Sequence, residues 1–292
     1  MKSMLGHISI ADHTVINPVP IYCLSYSNND EMIFTGDNNG LIKIWSTQTG
    51  QLIDIFKIHE KAVNDILLVE QYLISCSEDQ SVGIWDTKSL QIKKMFNFDE
   101  SIVRVVEYDY SANNEIHHII IISSLSGKIY FFDLDVEIKN NFSYIEDSFP
   151  TKFYFDKKII EKYELKKTKS MQQTSTVCNS KSGLLVCGYS DGIMCVWNME
   201  EILDDSILKR KFIHEFDKYV LFLDYVHSSV IHLSEFSSNH EHFITGSMDG
   251  NVLVWTVKMQ TIAYIRQMHR LNKPLKFFEF PIICESKISE SE

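Results

Sequence analysis

Histidine, aspartate and hydroxyl side chains recur at fixed distances ahead of the tryptophans of this chain. Two such sets are complete: His59, Ser75, Asp79 and Trp85, and His227, Thr245, Asp249 and Trp255. A carboxylate, an imidazole and a hydroxyl can together activate a nucleophile. The same groups can instead form a hydrogen-bonded chain that ends at an indole N–H. A catalytic set is normally single, whereas this one recurs at similar offsets, so we favour the structural chain.

The remaining sets are partial, but they share the same spacing. An aromatic residue closes each unit: Trp45, Trp85, Phe132, Trp197 and Trp255. Six positions earlier stand Asn39, Asp79, Ser126, Asp191 and Asp249. Ten positions earlier stand Thr35, Ser75, Ile122, Cys187 and Thr245. These offsets predict five copies of one module, the third of them degenerate.

Each module contains four short apolar runs separated by turn residues, which predicts four strands. The fold class expected is all-β: a β-propeller of four-stranded antiparallel blades, five of them recognisable, with a composite or incomplete closing blade. We expect one propeller over residues 1–284 and a frayed tail over 285–292. Its blades are predicted near 17–57, 59–97, 101–134, 174–216 and 227–266, with insertions at 135–173 and 199–226. Ile8, Ile10 and the stretch 275–284 are candidates for closing strands.

These residues resemble the WD-repeat family, whose members fold as β-propellers. Its motif of Gly-Ser-x-Asp-Gly, followed by an apolar strand ending in Trp-Asp, is matched by residues 246–250 and by Trp85-Asp86. The order of segments is also similar to the N-terminal propeller of bromodomain and WD-repeat-containing proteins. Those propellers have about eight repeats, whereas five are visible here, and no bromodomain fits the remaining residues. The resemblance therefore implies no acetyl-lysine recognition by any residue of this chain.

Other candidate sites are weaker. Trp85-Asp86-Thr87-Lys88 has the Trp-Asp-x-Lys form of receptors for cullin–RING ubiquitin ligases, and Asp86 and Lys88 would contact the adaptor. The segment 152–169 carries seven lysines among aromatic residues and could track a nucleic-acid backbone, although its acidic residues favour a solvated edge. The pairs His117-His118 and His240/His242 lack further ligands at metal-like spacing, so no metal site is predicted. No Gly-x-Ser-x-Gly elbow or phosphate-binding loop is present.

Composition sets the expected setting. The net charge of −11 disfavours polyanions and anionic membranes. The six cysteines lack Cys-x-x-Cys spacing and fit reduced, buried residues of a nuclear or cytoplasmic protein. The function expected is a non-catalytic protein-interaction scaffold, possessing no cofactor, that binds proteins or peptides at the propeller faces. A chromatin- or transcription-linked complex is the expected setting. The alternatives are a ligase substrate receptor, nucleic-acid contact through 152–169, and a propeller hydrolase.

Overall fold

The computed structural model describes residues 19–112, 115–141, 151–153, 172–204 and 216–266. Within these ranges the chain forms five four-stranded antiparallel sheets, which we call blades. The chain divides into two compact units, Met1–Phe153 and Tyr154–Glu292. The first unit holds three blades and the second holds two.

The first unit runs through its blades in chain order. The first blade comprises β1 (Ile21–Tyr26), β2 (Met32–Asp37), β3 (Leu41–Ser46) and β4 (Leu52–Lys57). The second comprises β5 (Val63–Val69), β6 (Tyr72–Ser77), β7 (Ser81–Asp86) and β8 (Gln91–Asn97). The third comprises β9 (Ile102–Ala112), β10 (Glu115–Ser124), β11 (Ile129–Asp133) and β12 (Thr151–Phe153), with helix α1 (Leu134–Lys139) between its last two strands.

The second unit repeats the plan twice. The fourth blade comprises β13 (Gln173–Asn179), β14 (Leu184–Tyr189), β15 (Ile193–Asn198) and β16 (Val220–Tyr225). Helix α2 (Met199–Leu203) and a 3₁₀ turn (Phe216–Tyr219) precede its last strand. The fifth comprises β17 (Ile231–Phe236), β18 (His242–Ser247), β19 (Asn251–Thr256) and β20 (Thr261–Arg266). The last strands of the third and fourth blades, β12 and β16, thus come from the two segments interpreted as insertions.

Bulges interrupt the strand pairing at two equivalent places. One lies at the start of the first strand of a blade, at 21/23, 63/65, 173/175 and 231/233. The other lies directly before each tryptophan, at 44/45, 84/85, 196/197 and 254/255. A bulge bends the strand and re-aims the next side chain. The bulge therefore shifts each tryptophan side chain out of the regular up-and-down alternation of the strand, at the same position in each of these four blades.

Neighbouring blades within a unit pack face to face through aliphatic side chains. Between the first and second blades, Phe34, Ile42 and Ile44 contact a layer that includes Val63, Leu73 and Trp85. Comparable clusters join the second blade to the third and the fourth to the fifth. β-Branched residues suit these faces because they pack well on a pleated, fully buried surface. The cores hold the turns at the blade ends in fixed positions.

Candidate functional site

The second blade closes its polar set around His59, which lies in the segment leading into β5. Nδ1 of His59 is 3.1 Å from Asp79 Oδ2 and 2.8 Å from Ser81 Oγ. Nε2 of the same ring is 2.9 Å from Ser75 Oγ. Asp79, in the β6–β7 turn, also accepts hydrogen bonds from the backbone N–H groups of Glu60 and Ser81. The network therefore ties this turn to the segment that enters the blade.

The fifth blade builds the same network around His227. Nδ1 of His227 is 3.1 Å from Asp249 Oδ2, and Nε2 is 2.9 Å from Thr245 Oγ1. The indole N–H of Trp255 donates to the same Thr245 oxygen over 3.1 Å. If Asp249 accepts from the Nδ1 proton, the Thr245 hydroxyl donates to Nε2. The four predicted side chains then form one continuous chain of donors.

The second blade lacks the last link of this chain. The indole N–H of Trp85 is buried and has no hydrogen-bond partner among the described residues. Gly83 faces Ser75 across the strand pair, whereas Leu253 faces Thr245. A Cβ atom at Gly83 would lie 3.0 Å from Trp85 Nε1, so the indole rests where a side chain would stand. The expected donation from Trp85 to Ser75 is therefore absent.

The first blade uses a carboxylate that the spacing did not single out. Asp37 Oδ1 accepts hydrogen bonds from the backbone N–H groups of Asn39 and Leu41, over 2.9 and 3.1 Å. Asn39, which occupies the aspartate position of the pattern, is only a donor here. Trp45 donates from its indole N–H to Thr35 Oγ1 over 2.9 Å. The Thr-Gly-Asp sequence at the end of β2 was the available signal for Asp37.

The third blade replaces the polar set with apolar side chains. Phe98 takes the histidine position, since its backbone N–H donates to the Gln80 carbonyl as that of His59 does to Gly40. Ile122 takes the hydroxyl position, and Phe132 the tryptophan position, in one buried cluster. The Phe98 ring meets the Tyr130 ring edge-on, with centroids 4.8 Å apart. Here aromatic packing substitutes for the hydrogen bonds.

The fourth blade retains the tryptophan but not the hydroxyl. Trp197 is fully buried, and Cys187 occupies the position held by Ser75 in the second blade. Asp191 lies in the β14–β15 turn immediately before Gly192. The turn thus keeps its predicted acidic residue without the complete set around it.

The electrostatics of the second set argue against proton transfer to a substrate. His59 is fully buried, and burial lowers its pKa although the Asp79 charge and hydrogen bond act to raise it. Burial acts to raise the pKa of Asp79, but hydrogen bonds from Ser81 and Glu60 and the nearby His59 hold that pKa below its ordinary value. Ser75 is also fully buried, so no substrate can reach its hydroxyl. The set is suited to bracing, not to nucleophilic attack.

Two glycines leave space for the backbone of the segments that carry His59 and His227. Gly40 ends the β2–β3 turn with φ +79°, and its carbonyl accepts from the backbone N–H groups of Ile58 and His59. A Cβ atom there would lie 2.0 Å from the His59 carbonyl oxygen. Gly192, with φ +83°, stands in the same relation to the His227 carbonyl oxygen, also at 2.0 Å. Each complete set therefore depends on a glycine in the preceding blade.

The two residues suggested for adaptor contact have different roles. Asp86 is nearly buried, and its Oδ1 accepts from the backbone N–H groups of Lys88 and Ser89 over 2.9 and 3.3 Å. Its Oδ2 lies 3.4 Å from Lys93 Nζ. Lys88 is exposed. Asp86 thus shapes the β7–β8 turn, and Lys88 alone projects toward solvent.

The paired histidines of β10 meet carboxylates that the sequence spacing did not reveal. His117 Nδ1 lies 2.7 Å from Asp133 Oδ2, with Asp135 nearby. His118 Nδ1 lies 2.8 Å from Glu107 Oε1, with Asp109 nearby. These close contacts are hydrogen bonds between an imidazole and a carboxylate. They fasten the long β9–β10 hairpin to α1 and brace the hairpin across its own strands.

Five cysteines lie in described residues, and none of them is in a disulfide: Cys23, Cys76, Cys178, Cys187 and Cys195. All except the half-buried Cys178 are buried. Burial raises the pKa of Cys23 to about 12, so the group stays a neutral thiol. They pack as small hydrophobic residues.

Several predicted features fall outside the described residues. These are the closing strands at Ile8, Ile10 and 275–284, the tail 285–292, and the lysine segment except for the part in β12. Among the helices that are described, none has the length and apolar character needed to span a bilayer.

Comparisons with known proteins agree with this geometry. The family described as WD40, "WD domain, G-beta repeat", matches residues 9–46, 50–86 and 219–256. The WD repeat-containing protein 89 homolog of Dictyostelium discoideum is 21% identical over 71% of the chain, which spans 52% of that protein. Bromodomain and WD repeat-containing DDB_G0285837 of the same organism is 31% identical over 38% of the chain but only 5% of its own length.

A solved structure shares the fold. The β-propeller domain of Myceliophteria thermophila Cps50 (Swd1) superposes with a TM-score of 0.58 at 13% identity, covering 82% of this chain and 66% of that one. The chain thus spans about half the length of its first relative and two thirds of this propeller. Repeated four-stranded blades, tryptophans at equivalent bulges and the matched repeats agree with one another. Three segments of the chain match WD40 repeats, and its four-stranded blades have the fold of solved β-propellers.

Proposed function

We propose that this chain is a non-catalytic scaffold that binds other proteins or peptides at its blade ends. The observation that supports this most is the burial of the acid–base groups. In the complete sets, His59 and His227 are held by carboxylates and hydroxyls inside the blades. What the blades present to partners is their turns, whose sequences differ from one repeat to the next. Rigid repeats with variable loops are suited to recognition of proteins.

The proposed setting is a nuclear or cytoplasmic complex linked to chromatin or transcription. Its support is the partial similarity to a protein named for bromodomains and WD repeats. Because that similarity covers a small part of the named protein, the setting is a proposal to be tested through the partners that are recovered.

The experiment is affinity purification with quantitative mass spectrometry from the native cell, using matched glycine variants. Gly40→Ala places a Cβ against the His59 carbonyl and disturbs the joint between the first two blades, whereas the Cβ of Gly50→Ala meets nothing within 4 Å. We expect partners of the wild-type chain to be retained by Gly50→Ala and lost by Gly40→Ala.

Two results would count against the scaffold. One is a recovered protein set no different from that of a tag-only control. The other is hydrolase activity that survives purification and disappears in Ser75→Ala or Thr245→Val.

Recruitment of substrates to a cullin–RING ligase is a narrower candidate. The exposed Lys88 beside the ordered turn around Asp86 is what favours it. Because Asp86 caps the turn, its substitution would disturb structure and contact together. Lys88→Glu is the cleaner probe, with Lys181→Glu, at an exposed lysine of the fourth blade, as the comparison. Recovery of the ligase adaptor that is unchanged by Lys88→Glu would exclude this contact.

A further inference from the structure

Two joints between neighbouring blades of the same unit share one local arrangement. The second strand of a blade carries a small residue, and the first strand of the next blade covers it with a β-branched side chain. A Cβ atom at Gly36 would lie 2.7 Å from Val63 Cβ, and one at Gly188 would lie 2.8 Å from Ile231 Cβ. Both covering residues are fully buried. The joint is thus a side chain seated in a glycine hollow.

A hydrogen bond beside the hollow completes the joint. In two pairs of neighbouring blades, the bulge residue of one blade donates to a backbone carbonyl at the start of the next blade. Asn64 Nδ2 donates to Ile102 O over 2.6 Å, and Thr174 Oγ1 donates to Ile231 O over 2.6 Å. In the pair formed by the first and second blades, Cys23 Sγ donates to the Val63 carbonyl instead, over 3.5 Å. The contact between two neighbouring blades is therefore made by three groups: the side-chain donor, the small residue and the residue that covers it.

In the fifth blade, no described residue of another blade fills the corresponding hollow at Gly246. Gly246 pairs with Leu233, as Gly36 pairs with Cys23 and Gly188 with Ser175. The nearest atoms to a Cβ there belong to Leu233 and Val252 of the same blade, at 3.7 and 4.0 Å.

The residues around this hollow are uncovered as well. His232 occupies the donor position and is exposed. Beside the hollow, Ile244 is 40% exposed, whereas its counterparts Ile74 and Val186 are fully buried.

The first blade presents the matching side chain. Ile21 pairs with Asp37 as Val63 pairs with Ser77, each directly before the bulge. Ile21 is 42% exposed although Val63 is fully buried. Leu24, three positions on, is 58% exposed, and its counterpart Ile66 is 5% exposed. This chain therefore carries both an uncovered hollow and an uncovered β-branched residue of the type that fills such hollows.

We propose that the fifth blade of one copy docks against the first blade of a second copy, with Ile21 seated on Gly246. The His232 ring would donate to the Ile21 carbonyl, in the manner of Asn64 and Thr174. The second copy is the favoured occupant because it offers the side-chain type, the bulge and the register that the filled joints use. Such a head-to-tail contact is heterologous, so it propagates unless the assembly closes. The inference rests on blade geometry and does not depend on the proposed scaffold function.

Sedimentation of the full chain tests the contact through complementation. We expect the average mass of the wild type to rise with concentration to at least about twice that of a monomer. Ile21→Asp and Gly246→Leu each remove one side of the contact and are expected to stay at the 34.0 kDa monomer mass. A Leu at 246 has space within its own copy, because the Cβ contacts there are ordinary. Ile116→Asp changes an isoleucine of the third blade that is more exposed than Ile21, and it is expected to behave as wild type.

Mixing the two variants gives the decisive result. Ile21→Asp retains the hollow, and Gly246→Leu retains the isoleucine, so the mixture is expected to form dimers and nothing larger. A two-fold symmetric interface would not be rescued in this way, and failure of rescue would overturn the head-to-tail contact.

A second measurement is independent of affinity. Differently tagged Ile21→Cys and Gly246→Cys chains are mixed and oxidised, and we expect a disulfide between the two tags. The filled joints place the equivalent Cβ atoms close enough for such a bond after a small shift. A yield no higher than with Ile116→Cys, together with a monomeric wild type, would assign the hollow to a different occupant and overturn the proposal.

Discussion

At the scale of single residues, the residue ten positions before each tryptophan determines whether the hydrogen-bonded chain reaches the indole N–H. Thr245 and Thr35 both accept from a tryptophan indole, whereas Ser75 bonds only to His59. Threonine is restricted at χ1 because it is β-branched, which helps to hold its oxygen toward the indole. Serine lacks that restriction, and opposite Ser75 the missing side chain of Gly83 lets the indole settle elsewhere. One methyl group and one neighbour thus account for the difference between the two complete sets.

Removing the hydroxyl should cost stability in proportion to the groups left unpaired. Thr245→Val keeps the shape but orphans His227 Nε2 and the Trp255 indole, whereas Thr35→Val orphans only the Trp45 indole. With about 1–3 kcal/mol per buried orphan, we expect Thr245→Val to lower the free energy of unfolding about twice as much. Urea denaturation of both variants provides the measurement. Equal losses would show that the hydrogen bond between His227 and Thr245 contributes nothing.

Two histidines of the first unit should respond to pH in opposite directions. Burial lowers the pKa of His59, so its stabilisation is full above the unfolded pKa of about 6.5 and is lost as the pH falls below it. Partial burial acts to lower the pKa of His118, but the Glu107 hydrogen bond and nearby carboxylates raise it overall. The His118 contribution is therefore present below pH about 6.5 and is lost as the pH rises through the folded pKa.

The test compares wild type with His59→Gln and His118→Gln in urea at several pH values. We expect the stability difference for His59→Gln to shrink on acidification and that for His118→Gln to grow. Differences that change in the same direction would contradict this assignment of the two environments.

At the scale of elements, the turn between the second and third strands of a blade is a joint to the next blade. Gly40 and Gly192 hold it open for the following segment, whereas Gly50 has the same sign of φ in open space. Substituting these three glycines therefore distinguishes two free-energy costs of adding a Cβ atom, backbone strain and steric clash.

We expect Gly50→Ala to lose about 1–2 kcal/mol, the cost of a left-handed backbone for an L-residue. Gly40→Ala and Gly192→Ala should lose clearly more, because each adds a clash with a carbonyl oxygen. Denaturant unfolding ranks the three variants, and amide exchange near His59 and His227 supplies a second reading for any that unfold. Similar losses at all three positions would mean that the segment moves aside without cost.

Helix α1 is fixed by a buried ion pair. Lys94 Nζ of β8 lies 2.6 Å from Glu137 Oε2 of α1, and both side chains are 7% exposed. Removing one buried partner costs about 3–5 kcal/mol, whereas replacing both with apolar residues is often neutral. We therefore expect Lys94→Met to lower the free energy of unfolding strongly and Lys94→Met with Glu137→Leu to restore most of it. A double variant as unstable as the single one would refute the pairing.

Much of this architecture could be predicted from the sequence, because turn residues and apolar runs recur at fixed offsets from an aromatic residue. The strands β5 to β8 follow directly from that pattern. Contacts that the repeated spacing does not contain could not be predicted. Ser81 beside His59, Asp133 beside His117 and Glu137 beside Lys94 depend on strand register and on the placement of α1. Local spacing carries no information about such pairs.

At the scale of the whole molecule, acidity limits the choice of partners. The net charge of −11 opposes approach to a phosphate backbone, whereas nucleic-acid binding by proteins depends on lysine and arginine that displace counterions. The two charge-rich histidine clusters of the third blade add to the acidic character, since they bring together more carboxylates than imidazoles.

We expect no saturable binding of a fluorescent single-stranded oligonucleotide at about 0.15 M salt. Fluorescence anisotropy measures this directly. A variant carrying Lys157→Ala, Lys158→Ala and Lys162→Ala should give the same result. Tight, salt-sensitive binding by the wild type that this variant loses would favour the lysine segment as a nucleic-acid site.

The apolar brace of the third blade has a consequence for how such repeats diverge. Phe98, Ile122 and Phe132 come from three distant places in the chain, yet they touch one cluster. Restoring a histidine at position 98 alone would bury an imidazole with no acceptor opposite Ile122. Converting the apolar set into the polar one therefore requires substitutions at positions 98, 122 and 132 together. The third blade keeps its four strands with the apolar set, although it lies outside all three segments matched to WD40 repeats.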